Sequence, residues 1–304
     1  MWSKWFGKKK VAGQAVSSGA PQADVQLNVV ILSDLGMIRT NNEDMGWFVR
    51  NSSEEIIRQK GYLLVVADGM GGHQAGEVAS NLAAETVSEV YFHSGDKTGI
   101  EKSLDKAFRS ANEKIYSLSS SDAAYRGMGT TCTAIAIVGN QIFYGHAGDS
   151  RAYLIKKGVV TQVTEDHTYV QELVKAGEIT HAEAARHPKR NILTNAMGTK
   201  PSLRVDTGRH AGEFGFHDRI LLCSDGLYDY IADNELAEIL DGRSLQDAAE
   251  TMVNEAKRRG GHDNITVVIA EKLNPSAPAA TRETRDIKIP QSIQAPQTKE
   301  TELP

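Results

Sequence analysis

Residues 65–80 read "VVADGMGGHQAGEVAS", and both the fold and the chemistry turn on this stretch. An apolar run stops at Asp68-Gly69, passes through Gly71-Gly72 and enters a helix-like segment. That is the outline of a phosphate-cradling loop at a helix N-terminus. The residues such a loop needs are missing. A P-loop follows its last glycine with Lys and then Ser or Thr, whereas Gly76 is followed by Glu77-Val78. A dinucleotide fingerprint fails as well, because Gln74 stands where its third glycine belongs. An acidic residue opening the loop would also repel a phosphate unless a metal lay between them.

Asp68 belongs to a pattern. "CSDGLYD" puts Asp225-Gly226 after the apolar run "RILLC", "GGHDNITVV" puts Asp263 just before another, and "RTNNEDMG" adds Glu43-Asp44. Strand ends bring side chains to a common edge, where several carboxylates would repel one another and be costly to desolvate. A divalent cation removes both problems, and an all-oxygen donor set selects Mg²⁺ or Mn²⁺ over zinc. A single Asp-Gly is ordinarily a plain turn; four acidic sites matched to strand ends are not. The glycine after each Asp is expected to turn the backbone tightly, so that a main-chain carbonyl also reaches the ion. Arg39, five residues before Asp44, offers a guanidinium fork suited to phosphate oxygens, although taken alone it reads as a surface arginine.

Further out, the chain has 304 residues, 40% hydrophobic and 24% charged, which suits a soluble globular protein. A net charge of -5 gives no footprint for nucleic acid. Cys132 and Cys223 sit inside apolar runs and read as buried thiols of a reducing compartment. No stretch approaches the roughly 20 apolar residues of a membrane span, and "MWSKWFGKKK" lacks the apolar region of a secretory signal, so a cytoplasmic protein is expected. Residues 1–26 read as a flexible basic and aromatic leader and linker, suited at most to weak surface contact. Residues 274–304 read as a disordered Pro- and Thr-rich tail. The folded body is expected over 27–273.

Within it, strands are expected at 27–33, 62–67, 131–138, 141–147, 151–157, 219–224 and 265–271. Gly139-Asn140 marks a two-residue hairpin, and Gly158 marks another leading into "VVTQVT". Apolar residues at spacings of three and four predict helices over 75–92, 100–118 and 244–259. Helices in the first half followed by hairpin-linked strands favour an α+β fold of antiparallel sheets over a doubly wound parallel sheet.

The set "SDLGMIRTNNEDMG", "LLVVADGMGGHQAGEVAS", "GMGTTCTAIAI", "YGHAGDSRAYLI", "LLCSDGLYD" and "GGHDNITVVI" closely resembles the bacterial PP2C-type (PPM) protein serine/threonine phosphatases. It does so in that order and spacing, over roughly residues 27–271. The resemblance implies a four-layer α-β-β-α sandwich of two antiparallel sheets flanked by helices. It implies a dinuclear Mn²⁺ or Mg²⁺ centre, and direct hydrolysis of phosphoserine and phosphothreonine by water without a phosphoenzyme. Carried over by motif, Asp44, Asp68, Asp225 and Asp263 match ligands of the two tightly held ions, and the Gly69 carbonyl matches a further ligand. Asp149 resembles a residue that, with Asp225, holds a third and weaker ion. Arg39 matches the phosphate-binding arginine and Glu43 an acidic position just outside the ligands, while Asn264 neighbours the last ligand and is placed to orient it. Residues 164–199 resemble the family's flap. The implied partners are phosphorylated proteins, including a eukaryotic-like serine/threonine kinase, with a monomer as the family default.

The leaving-group proton is left open. Animal members carry a His where this chain has Met70; His73 is the nearest candidate acid, His262 adjoins Asp263, and a water held by metal could donate instead. A thiol mechanism is excluded, because Val138 and Asp229 occupy the places six residues after Cys132 and Cys223. Rival readings are a non-catalytic phosphoprotein-binding module and an enzyme acting on a small phosphoester or another phosphorylated amino acid, since specificity does not reside in the metal motifs.

Overall fold

The computed structural model describes residues 26–51, 53–71, 74–94 and 99–274. Nearly all of the leader and of the tail, and His73, lie outside them.

Period-2 alternation builds the centre of the molecule. In β3 (Tyr62–Met70), Leu63, Val65 and Ala67 face one way and Leu64 and Val66 the other, all fully buried. The same split recurs in β10 (Arg219–Cys223) and β11 (Ile265–Leu273): Leu221, Cys223, Val267 and Ile269 face one layer, Ile220, Leu222, Val268 and Ala270 the other. Strands buried on both faces read as continuous apolar runs, which is how they stand in the sequence.

One sheet runs β1 (Gln26–Asp34), β11, β10, β7 (Arg151–Lys156), β8 (Val159–Gln162). The second runs β2 (Asp44–Arg50), β3, β5 (Cys132–Val138), β6 (Gln141–Ala147), β9 (Asp206–Arg209), with the short β4 (Gly129–Thr130) also pairing β3. Every pairing is antiparallel. The sheets meet through Leu64, Val66, Ile135, Ile137, Leu154, Ile220, Leu222 and Val268. On one outer face lie α2 (Gln74–His93) and α3 (Ile100–Ser121), packing Ala79, Ala83, Val87, Leu104, Phe108 and Ile115 onto the second sheet. On the other lie α7 (Asp233–Leu240) and α8 (Leu245–Arg258). The result is the expected α-β-β-α sandwich. Among the described residues no helix is long and apolar enough to cross a membrane.

Both hairpin expectations hold. Val138 pairs with Gln141 across Gly139-Asn140, and Lys156 with Val159 across Lys157-Gly158, whose φ angles of 51° and 77° suit a primed turn. Strands β2, β4 and β9, the short helix α1 (Glu54–Lys60) and helix α7 are among the elements additional to the sequence expectations. "DMGWFVR" lacks a clean alternation, and "DTGR" takes its strand geometry from pairing with β6. The flap segment carries α4 (Tyr169–Lys175) and α5 (His181–Ala184), consistent with its expected helical stretches.

The glycine expectation is corrected. Asp68-Gly69 does not end a strand in a tight turn: β3 runs through both to Met70, and Gly69 pairs with Thr130. Gly69 is required for proximity, because a Cβ there would lie 2.1 Å from the Gly76 carbonyl oxygen and 2.6 Å from that of Glu43. Gly226 is likewise crowded, by the Asn264 carbonyl at 2.0 Å.

Candidate active site

Register delivers the acidic residues to one edge. Asp44 opens β2 and lies directly opposite Asp68 on β3, a pairing that sets Cβ atoms about 5 Å apart and disfavours like charges. Asp149 occupies the turn between β6 and β7, Asp225 follows β10 and opens the one-turn helix α6 (Asp225–Tyr228), and Asp263 precedes β11. The pairs Cys132–Ala147, Arg151–Cys223 and Cys223–Val267 align those strand ends. Contacts that join the sheets at this edge include the Ser224 hydroxyl donating to Asp44 Oδ2 at 2.7 Å and the Glu43 amide donating to Asn264 Oδ1 at 2.9 Å.

The electrostatics show one mutually repelling group. Burial pushes the Asp44 carboxyl up to about 6, against hydrogen bonds from Ser224 and Thr266, with Asp263 adding repulsion. Burial likewise pushes Asp149 up to about 7, with Asp166 adding repulsion and Arg151 opposing. Asp68 and Asp225 lie well above the carboxylate range, from burial first. Asp68 is then raised by Asp44, Asp225, Asp149 and Asp263, and Asp225 by Asp149, Asp263, Asp229 and Asp44. Arg39 reaches the same mouth: its guanidinium donates to Asp263 Oδ2 at 2.7 Å. Partial burial works against its charge, and Asp263, Glu43 and Asp68 more than offset it.

Among the described residues no three Asp, Glu, His or Cys side chains close into a ready-made metal cage, although the carboxylates are near enough to repel one another. The donor set nevertheless fits hard divalent cations. Asp44 Oδ1 and Asp225 Oδ1 are fully buried and have no hydrogen-bond partner, a costly condition for a carboxylate oxygen that a cation relieves.

The surroundings hold this edge in place. Asn264 donates to the Leu35 and Asn41 carbonyls at 3.1 and 3.0 Å while accepting from Glu43, so it staples the loop before β2 to the start of β11. Glu43 lies against the first turn of α2, where a Cβ on Gly76 would stand 2.1 Å from Glu43 Oε2. The Asp68 carbonyl accepts from the Thr131 amide and the Thr130 hydroxyl, each at 2.9 Å. Arg151 grips Asp166 with two nitrogens and lies 3.6 Å over the Tyr228 ring, tying β7, the flap's base and α6 together. Within 164–199, Arg190 pairs with Asp229 at 3.1 Å. Beneath the flap, buried His146 bonds Thr133 at 2.8 Å and the Glu165 carbonyl at 3.0 Å, and stands 4.7 Å from the His167 ring.

Arg39, Glu43, Asp44, Asp68, Gly69, Asp149, Asp225, Asp263 and Asn264 are thus brought to one edge. His73 lies outside the described residues. His262 spends its Nδ1 on the Tyr230 hydroxyl, which also accepts from the His262 amide at 3.0 Å. The sequence reading missed Ser224 and Arg151, which sit inside the quoted motifs "CSDG" and "GDSR", and His146, whose partners are distant in the chain. A cleft of about 380 Å³ lined by Phe216, Arg219, Leu240 and Glu271 opens at the opposite ends of β10 and β11 and shares none of these residues.

The sequence profile described as protein phosphatase 2C matches residues 32–173. Serine/threonine phosphatase stp of Listeria monocytogenes is 38% identical over 244 residues, covering 79% of this chain and 94% of its own. The crystal structure of the Mycobacterium tuberculosis serine/threonine phosphatase PstP/Ppp superposes with a TM-score of 0.72 at 37% identity, covering 82% of this chain and all of that one. The PstP catalytic domain in complex with two manganese ions superposes with a TM-score of 0.68 at 36% identity, covering 82% and 99%.

Proposed function

The chain belongs to the protein phosphatase 2C family of serine/threonine phosphatases, and on that premise we propose that it removes phosphate from phosphoserine and phosphothreonine in proteins at the carboxylate mouth. Asp44, Asp68, Asp225 and Asp263, with the Gly69 carbonyl, would hold two divalent cations, Mn²⁺ or Mg²⁺, and Asp149 beside Asp225 would help hold a third. Bound there, such cations supply charge to offset the phosphoryl oxygens and a water acidified toward neutral pH. The observation that carries the reading is the pair of buried, unpartnered oxygens, Asp44 Oδ1 and Asp225 Oδ1, within one set of mutually repelling carboxylates.

The chain's own residues do the rest. Ser224 fixes the Asp44 carboxylate by donating to Oδ2, which leaves Oδ1 for an ion. Arg39, half-exposed and held over the mouth by Asp263, presents its fork to the phosphoryl oxygens and orients the phosphorus toward the carboxylates. Asn264 holds the loop that carries Arg39 and Glu43. His262 is engaged by Tyr230 and is assigned no proton transfer; His73 remains the candidate acid on sequence grounds. The substrates of this reading are phosphoproteins produced by a serine/threonine kinase.

Phosphate release from a phosphothreonine peptide, followed with Mn²⁺, with Mg²⁺ and with EDTA, tests it. Turnover is expected only with metal, and Arg39→Ala should lower kcat/KM by about 10- to 100-fold. Hydrolysis that survives EDTA, or none with any metal, would overturn the proposal.

A further inference from the structure

The turn Gly36–Ile38, which leads into Arg39, is held tightly yet exposes large apolar side chains. Gly36 has a φ of 73°, and a Cβ there would lie 2.1 Å from the Asp263 carbonyl oxygen, so the turn is pressed onto the segment that carries Asp263. The Gly36 amide donates to Asp34 Oδ1 at 2.9 Å, the Met37 amide to the Gly261 carbonyl at 2.7 Å, and Asn264 holds the Leu35 carbonyl. A turn fixed by three hydrogen bonds could present polar side chains at no cost. Instead Leu35, Met37 and Ile38 are 43%, 61% and 63% exposed. Contiguous exposed apolar groups beside a polar site mark a contact surface.

From this placement we infer that Leu35, Met37 and Ile38 form a ridge that receives an apolar side chain next to the phosphorylated residue of a protein substrate. The inference rests on the phosphatase reading above and deepens it. Ile38 is bonded directly to Arg39, so their Cα atoms stand about 3.8 Å apart, and consecutive residues of an extended peptide are spaced by about the same length. The ridge is thus continuous in the chain with the arginine that would hold the phosphoryl group, and the residues flanking the phosphoresidue are the part of a bound protein substrate that it would meet. Rigid backbone and mobile-tipped apolar side chains suit one apolar neighbour of varied shape. The ridge thus selects for Leu-, Ile-, Val- or Phe-flanked phosphothreonine over Asp- or Lys-flanked sites.

The test compares phosphothreonine peptides carrying Leu, Ala or Asp immediately before or after the phosphoresidue, each kcat/KM divided by that for p-nitrophenyl phosphate on the same protein. The unaltered chain should favour Leu over Asp by about 10-fold, as burying one such side chain is worth about 1.5 kcal/mol or more. Ile38→Ser with Met37→Ser should bring that ratio to within about twofold of one, whereas Met37→Leu should keep it. Equal rates on all peptides, or a preference that survives the double substitution, would overturn the inference while leaving the phosphatase reading intact. Absence of turnover on p-nitrophenyl phosphate and peptides alike would overturn both. A concentration-dependent increase in mass by sedimentation, abolished by Ile38→Ser, would assign the ridge to a second copy of the chain and also overturn it.

Discussion

Asp44 shows what a single carboxylate costs this fold. Its ordinary value of 3.8 is pushed up to about 6, by burial first. A raised carboxyl holds its proton longer in the folded chain than in the unfolded one, so stability falls as pH climbs from about 4 to about 6, by up to roughly 3 kcal/mol. Asp44→Asn, which keeps an acceptor for Ser224 and removes the charge, should therefore stabilise the chain in EDTA by about 1–3 kcal/mol at pH 8 and by little at pH 4. Denaturant midpoints at the two pH values decide it; a variant less stable at pH 8 would contradict the assignment of the strain to charge. At this scale the sequence was legible through repetition. Asp-Gly after an apolar run occurs twice, and the structure brings both aspartates to one edge. Why the glycines are there was not legible, because the crowding atoms belong to Glu43, Gly76 and Asn264, and a sequence shows no distances.

At the scale of elements, the joint between β3 and α2 depends on the closeness of two backbones. Gly69→Ala forces a Cβ to 2.1 Å from the Gly76 carbonyl, and neither strand nor helix start can yield without moving Asp68 or Glu43. A loss of about 3 kcal/mol or more in chemical denaturation is expected; a loss under about 1 kcal/mol would show that the joint is loose. The joint between β6 and the flap rests on His146. Burial, then His167, lowers its pKa from 6.5 to about 3. A base depressed in this way contributes stability that is complete above about pH 6.5 and is lost as pH falls toward 3, about 2 kcal/mol of it by pH 5. His146→Gln should flatten the pH dependence of the denaturation midpoint between pH 7 and 5, and an unchanged slope would count against it. Long amphipathic helices and Gly-marked hairpins were readable in advance, since their signals are local. Strands β2 and β9 were not, because their partners supply the geometry.

At the scale of the whole molecule, two helix layers cover two sheets, with an apolar cluster between the sheets. Ile135, fully buried there, should cost about 2–5 kcal/mol when cut to alanine. Because it lies in the inter-sheet core rather than at the acidic edge, Mn²⁺ affinity of the folded fraction should remain within about twofold. A metal affinity that fell with the stability would mean that the sandwich does not hold the edge as a rigid frame. Four-layer architecture followed from the family resemblance more than from periodicity, which showed only antiparallel sheets with helices upon them. The direct test of the central claim is calorimetric titration of Mn²⁺ into the unaltered chain and into Asp225→Asn. Two ions per chain are expected for the first, with at least one lost or weakened about 100-fold in the second. Equal stoichiometry and affinity in both would show that the carboxylate mouth does not hold the metal.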